Sequence, residues 1–133
     1  MITGMAHACF TVSDLDASIH FYQDQLGLKP AFDFRREDGT RFGCYLHLGG
    51  RTFIELFQGQ LGERAEGQSY KHICLEVDDI EATVAELRAR GVEVSDPKLG
   101  SDQSWQAWIT DPDGNRMELH AYTAESWQAP HLA

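Results

Sequence analysis

The sequence predicts an α+β fold made of two similar halves, each with the element order βαβββ, in one domain of 133 residues. A segment that begins at His7 recurs at His72, and a Glu-Leu pair at Glu55 recurs at Glu118. The His-to-Glu separation is 48 residues in the first half and 46 in the second. Each half also combines one segment of helical spacing with several of strand alternation. Agreement of residue type, spacing and pattern indicates an internal duplication.

The first module covers about residues 5–58. Its first strand is predicted at 6–12, and Asp14 is a suitable N-cap for an amphipathic helix that ends at Gly27. Strand alternation and hairpin residues predict the remaining three strands, at 31–36, 41–48 and 51–57.

The second module covers about residues 70–122 and repeats this order. After the strand that carries His72, a helix is predicted from Asp78-Asp79 to Gly91. The strands that follow are expected at 93–97, 105–110 and 116–122, and residues 59–69 join the two modules.

Composition excludes several classes of function. A net charge of −10 and a pI near 4.8 argue against nucleic-acid binding, which needs clustered Lys and Arg. The sequence contains no apolar run that would span a membrane and no signal peptide at its start, so we expect a soluble cytoplasmic protein. The three cysteines are odd in number and widely spaced, which is typical of reduced thiols.

Strand alternation places polar side chains together on one face of each predicted sheet. The opposite face is apolar and is expected to pack against the helices. The polar face is expected to line a cavity, with Cys9, Cys74, Phe53 and Phe57 as its less polar wall. Its polar members are His7, Thr11, Glu55, His72, Glu76, Arg116, Glu118 and His120.

Two imidazoles and two carboxylates form a suitable ligand set for a divalent transition metal. The two carboxylates balance the charge of a dication. His7, Glu55, His72 and Glu118 are therefore the predicted metal ligands.

The chain resembles the vicinal-oxygen-chelate superfamily, which includes glyoxalase I, bleomycin-resistance proteins and extradiol dioxygenases. The resemblance depends on His7 with the following Val-Ser-Asp-Leu, on the helix end at Leu26-Gly27-Leu28, on His72 with Val77-Asp78-Asp79, and on the segment from Asp111 to Leu119. It implies an eight-stranded open cup around one divalent metal, which is Ni, Zn, Co, Mn or Fe. Short bacterial glyoxalase I-like enzymes have His, Glu, His and Glu at the four predicted ligand positions, whereas the fosfomycin-modifying thiol transferases lack a ligand where Glu55 stands.

This resemblance implies a metal-dependent isomerase or lyase of the glyoxalase type. A substrate with adjacent oxygens would chelate the metal, and proton transfer would pass through an enediolate. Glu55 or Glu118 would serve as the base, and the sequence does not decide between them.

Substrate recognition is expected to differ from that of glutathione-using relatives, because Thr11 stands where they carry an Arg that holds glutathione. The candidate substrate-binding residues are Thr11, Phe53, Phe57, Trp105, Arg116 and His120. An extradiol-type dioxygenase and a non-catalytic protein that sequesters a small molecule or drug are the alternative functions. We expect a homodimer, with the cup closed either within one chain or across two.

Overall fold

Two four-stranded mixed sheets form the protein, one in each of the two units into which the chain divides, Met1–Glu66 (unit 1) and a unit that begins at Gly67 (unit 2). The computed structural model describes residues 1–132. The sheets confirm the predicted α+β class and the repeated βαβββ order.

In unit 1 the sheet order is β1-β4-β3-β2, so the first strand lies beside the last. Strands β1 and β4 are parallel, and the other neighbours are antiparallel. The elements are β1 (His7–Val12), α1 (Leu15–Ile19), a π-helical segment (His20–Gln25), β2 (Lys29–Arg35), β3 (Arg41–Gly49) and β4 (Thr52–Gln58).

Unit 2 repeats this topology, with the order β5-β8-β7-β6 and a parallel pair of β5 and β8. A short 3-10 helix, Ala129–His131, follows the sheet. The elements of the module are β5 (Ile73–Glu76), α2 (Ile80–Ala89), β6 (Lys98–Leu99), β7 (Trp105–Thr110) and β8 (Arg116–Ala121).

Both helices begin where the capping residues predict. The carboxylate of Asp14 accepts the N–H of Ala17 at 3.0 Å, and that of Asp79 accepts the N–H of Ala82 at 3.0 Å, which satisfies donors that a helix start leaves unpaired. The chain leaves each helical segment through a glycine in the left-handed region, with φ 82° at Gly27 and 84° at Gly91.

Alternation along the strands separates the two faces of each sheet. Val12, Ile54 and Leu56 are buried in unit 1, as are Met117 and Leu119 in unit 2. Each such side chain contributes roughly 1.5–3 kcal/mol when it leaves water. The residues between them point to the other face, where the predicted ligands lie.

The last connection of unit 2 is held by Asp111, which is 4% exposed. Its carboxylate accepts the N–H groups of Asp113 at 3.0 Å and Asn115 at 2.7 Å, and the side-chain amide of Asn115 at 2.8 Å. Gly114 completes the turn with φ 82°. This turn fixes the pairing of Thr110 with Arg116, and so places Glu118 opposite Trp108.

The prediction of a strand at 93–97 was wrong, because the strand that pairs with β7 is Lys98–Leu99. Ser95 contacts β7 through two hydrogen bonds with the backbone of Trp108. Its N–H donates to the Trp108 carbonyl, and its hydroxyl accepts the Trp108 N–H at 2.8 Å. Pro97 has no N–H to donate, so regular pairing begins only after it.

The first helix also differs from a regular α-helix, since its second half, from His20 onward, is π-helical. Strand β2 begins at Lys29, two residues before the predicted start. Among the helices of residues 1–132, none combines the length and the apolar character that a membrane-spanning helix requires.

Candidate metal centre

Unit 1 brings His7 and Glu55 together on the polar face of its sheet. His7 lies opposite Phe53 in the parallel pair of β1 and β4, and Cys9 lies opposite Glu55. The Nε2 atom of His7 is 3.9 Å from Oε1 of Glu55. The Glu55 side chain is only 14% exposed, whereas that of His7 is 42% exposed.

Tyr45 completes the surroundings of this pair. It lies opposite Glu55 in the antiparallel pair of β3 and β4, and its hydroxyl is 3.4 Å from Nδ1 of His7. A hydrogen bond from the Tyr45 hydroxyl lowers the pKa of Glu55 below its ordinary value of 4.5, and the Cys9 thiol and His7 act in the same direction against partial burial. The carboxylate is therefore held in its ionised form, which a metal ligand requires.

Unit 2 brings His72 and Glu118 together on the equivalent face. The Nε2 atom of His72 is 3.1 Å from Oε2 of Glu118. The second carboxylate oxygen, Oε1, is 3.1 Å from Nδ1 of His120. Glu118 therefore lies between two imidazoles, with 14% of its side chain exposed.

Trp108 and Arg116 lie on the polar face of unit 2, beside His72. The guanidinium carbon of Arg116 is 3.9 Å from the centre of the Trp108 ring, and the His72 ring meets that of Trp108 edge-on at 4.8 Å. A cavity of about 450 Å³ opens beside this group, with Lys98 and Gln106 also in its wall. Two cationic side chains, Lys98 and Arg116, and the carboxylate of Asp96 thus line a space next to one predicted ligand.

Aromatic side chains cover much of the polar face of unit 1. The Phe32 ring stacks on Tyr45 at 4.6 Å, and the rings of Phe34 and Phe57 are 5.1 Å apart. Phe53 lies 5.6 Å from Tyr45, and Thr11 is an exposed residue opposite Phe57. The candidate substrate-binding residues Thr11, Phe53 and Phe57 therefore share a face with His7 and Glu55.

The structure does not bring Trp105 to the polar face of unit 2. Trp105 lies opposite Ala121 and alternates with Ala107 and Ile109, which are buried on the helix side of the sheet. The candidates Arg116 and His120 do share the face of Glu118. Of the two tryptophans in β7, Trp108 is the one that lies on the face of Glu118.

Sequence reasoning missed Tyr45 as a member of the site. The only indication was that alternation along β3 gives Tyr45 the same orientation as Gly43 and His47. Gln58, the last residue of β4, is engaged away from the site. Its side-chain amide accepts the N–H of Leu15 at 2.8 Å and donates to the carbonyl of Ser13 at 2.6 Å. Its role is to hold the start of α1 against β4.

The donors in both pairs suit a divalent metal. Each unit supplies one imidazole and one carboxylate that is largely shielded from water, and each carboxylate already accepts or faces polar hydrogens of neighbouring side chains. The chemistry of the donors therefore fits the metal predicted from the sequence.

Comparison with known families gives one match over most of the chain. The family described as the Glyoxalase/Bleomycin resistance protein/Dioxygenase superfamily matches residues 4–119.

Two curated relatives are similar along nearly their whole length. The metallothiol transferase FosB of Staphylococcus epidermidis is 35% identical over 127 residues, which are 92% of this chain and 84% of that protein. The lactoylglutathione lyase of Haemophilus influenzae is 34% identical over 123 residues, 85% of this chain and 88% of the relative.

Solved structures share the fold. A glyoxalase family protein from Enterococcus faecalis has a TM-score of 0.76 at 25% identity, and the match covers 88% of this chain and 96% of that protein. The antibiotic binding protein TnmS3 from Streptomyces sp. CB03234 has a TM-score of 0.73 at 28% identity, covering 92% of this chain and 98% of its own. Proteins with this fold thus include a member of the glyoxalase family and an antibiotic binding protein.

Proposed function

Because the chain belongs to the Glyoxalase/Bleomycin resistance protein/Dioxygenase superfamily, we propose that it is a metal-dependent isomerase or lyase of the glyoxalase type. In this proposal His7, Glu55, His72 and Glu118 hold one divalent metal ion. The observation that carries it is the repeated pair of a shielded carboxylate and an imidazole, at 3.9 Å in unit 1 and 3.1 Å in unit 2.

When bound, the metal would polarise two adjacent oxygens of a substrate and stabilise the negative charge that develops when a neighbouring carbon loses its proton. The protein supplies the base. Glu55 or Glu118 takes the proton from one carbon and returns it to the next.

The surroundings of the two carboxylates differ, which supports different roles for them. Glu55 accepts hydrogen bonds from Tyr45 and Cys9, which favour its ionised form. Glu118 faces two imidazoles, which orient both of its oxygens.

The substrate proposed here is not a glutathione adduct, but it does carry an anionic group. Thr11 offers no charge to a carboxylate, whereas Arg116 and Lys98 line the cavity beside Trp108. Asp96 also lines this cavity, and its carboxylate pairs with Arg88 at 2.8 Å. An α-hydroxycarbonyl or a thiol adduct of a dicarbonyl, with a carboxylate or phosphate at its other end, has this chemistry.

The experiment combines metal analysis with a proton-transfer assay on the wild type, Glu55→Gln and Glu118→Gln. Elemental mass spectrometry should find a transition metal bound to the wild type and a lower content in both variants. Deuterium exchange at the α-carbon of candidate substrates, followed by NMR, should fall by at least about 100-fold in each variant, since general bases contribute this much or more.

Glu81→Gln is a matched control, because Glu81 is an exposed carboxylate in the first turn of α2. Full turnover by either site variant would remove that residue from the mechanism. If the wild type binds no metal even after reconstitution, the enzymatic proposal fails, and ligand binding by the metal-free protein then favours the sequestering function.

A further inference from the structure

Unit 2 holds more metal-binding side chains than the proposed four-ligand set uses. One donor atom each of Cys74, Glu118 and His120 lies within 4.8 Å of the other two. Strand pairing explains the cluster, because Cys74 lies directly opposite Glu118 in the parallel pair of β5 and β8. His120 is two residues further along β8 and therefore points to the same face.

The duplication shows which member of this cluster is special to unit 2. In unit 1 Cys9 lies opposite Glu55 in the same way. The residue two positions after Glu55 is Phe57, where unit 2 has His120. A thiol, a carboxylate and a second imidazole thus meet in unit 2 alone among the two repeats.

His120 also has a carboxylate near its second ring nitrogen, at a distance longer than a hydrogen bond. One ring nitrogen, Nδ1, faces Glu118, and the other, Nε2, lies 3.9 Å from the carboxylate of Asp102. Metal-binding histidines commonly direct their second nitrogen at a carboxylate, which fixes the ring and makes it more basic. The His120 side chain is only 11% exposed, so few orientations are open to it.

Asp102 is itself held in place. Gln128 donates its amide to Oδ2 at 2.6 Å, and the backbone N–H of Ser104 donates to Oδ1 at 3.1 Å. The hydrogen bond from Gln128 is the main reason that the pKa of Asp102 lies below its ordinary value. Asp102 and Glu118 thus place a carboxylate on either side of the His120 ring.

A hydrogen bond joins Nδ1 of His120 to Glu118 at 3.1 Å in the metal-free protein, and a metal ion bound between the two groups would take the place of the shared proton. The Cys74 thiol is the third donor atom of the cluster. Partial loss of water around the thiol, together with the charges of Glu118, Asp102 and Glu76, raises its pKa to about 12. A divalent metal would relieve this local excess of negative charge and displace the thiol proton to water.

We propose that Cys74, Glu118 and His120 form a zinc-type site within unit 2, supported by Asp102 and with a fourth position open to water or a small ligand. Thiolate, imidazole and carboxylate are all ligands that zinc accepts in tetrahedral geometry. This site goes beyond the proposed function, with which it shares only Glu118, and it differs by adding a thiolate.

Cobalt(II) tests the site, because cobalt replaces zinc in tetrahedral sites and a thiolate ligand gives it a near-ultraviolet charge-transfer band. The metal-free full-length protein is titrated with cobalt(II) chloride. We expect the band in the wild type, its loss in Cys74→Ser and its retention in Cys9→Ser, whose thiol occupies the equivalent position of unit 1. A wild type without the band, or a Cys74→Ser variant that retains it, overturns the proposal.

Two further variants separate this site from the four-ligand centre. Asp102→Asn should weaken cobalt binding by about 10- to 100-fold while keeping the band, as the loss of an outer carboxylate does elsewhere. Glu55→Gln should leave the band and its affinity unchanged. Loss of the band in Glu55→Gln would show that unit 2 does not bind cobalt by itself, and would overturn the proposal. Because Cys74 is exposed, circular dichroism is expected to show an unchanged fold in Cys74→Ser.

Discussion

Tyr45 links the aromatic side chains of unit 1 to its candidate metal ligands. Its ring stacks on Phe32 at 4.6 Å, while its hydroxyl contacts Nδ1 of His7 and donates a hydrogen bond to Glu55. A phenol in this position keeps a carboxylate ionised without supplying a positive charge. The net charge at Glu55 is then left for a metal to balance.

Tyr45→Phe should raise the pKa of Glu55 in the metal-free protein, because it removes the hydrogen bond that lowers that pKa most. A carboxylate with a lowered pKa adds stability at neutral pH, and this stability disappears as the pH falls through its folded-state pKa. The variant should therefore lose less stability between neutral and acidic pH. Carbon-13 NMR titration of the Glu55 carboxyl measures the pKa, and Phe32→Leu, which keeps the hydroxyl, should leave it lowered.

At the scale of secondary structure elements, β3 and β4 approach closely because Gly43 has no side chain. The ring of Phe57 lies over it, so that an added Cβ would come within 2.5 Å of the ring and 2.8 Å of the Leu56 carbonyl oxygen. The missing side chain thus leaves room for the Phe57 ring on the face that carries Glu55.

Gly43→Ala should destabilise the protein by about 1–3 kcal/mol, the usual cost of overpacking a tight contact. Urea denaturation measures the difference in the free energy of unfolding. Gly49→Ala on the same strand is the matched control, since nothing lies within 4 Å of its added Cβ. Equal stability of the two variants would show that the Phe57 ring moves aside at little cost.

At the scale of the whole molecule, the duplication yields two units whose chain passes from one to the other near Glu66. Residues 59–72 form neither helix nor strand, and residues 60–72 are exposed. The homodimer expected from the resemblance remains a prediction, which light scattering checks.

Trypsin should cut this connection first, after Arg64 or Lys71, because a protease needs an exposed segment outside regular structure. Mass spectrometry of early digests should find fragments that end or begin there. Arg64→Gln combined with Lys71→Gln should slow the first cleavage, and an early cut after Arg88 within α2 would contradict this account.

Sequence alone determined the features that depend on neighbouring residues. Local hydrogen bonding sets the two helix N-termini, at Asp14 and Asp79. The two-residue period of strands separates the polar from the apolar faces. The duplication of His7 and Glu55 can be read directly from the sequence. These features were sufficient for the fold class and for the two His-Glu pairs.

Tertiary structure decided which residues lie across from one another. A shift in register between His47 and Gly49 sets Tyr45 opposite Glu55, and a slip of one residue would have turned Tyr45 to the other face. The contact of His120 with Asp102 joins residues of two separate segments, and the short β6 depends on where pairing resumes after Pro97. Pairing between distant segments is settled by the packing of the whole unit, which local sequence patterns do not specify.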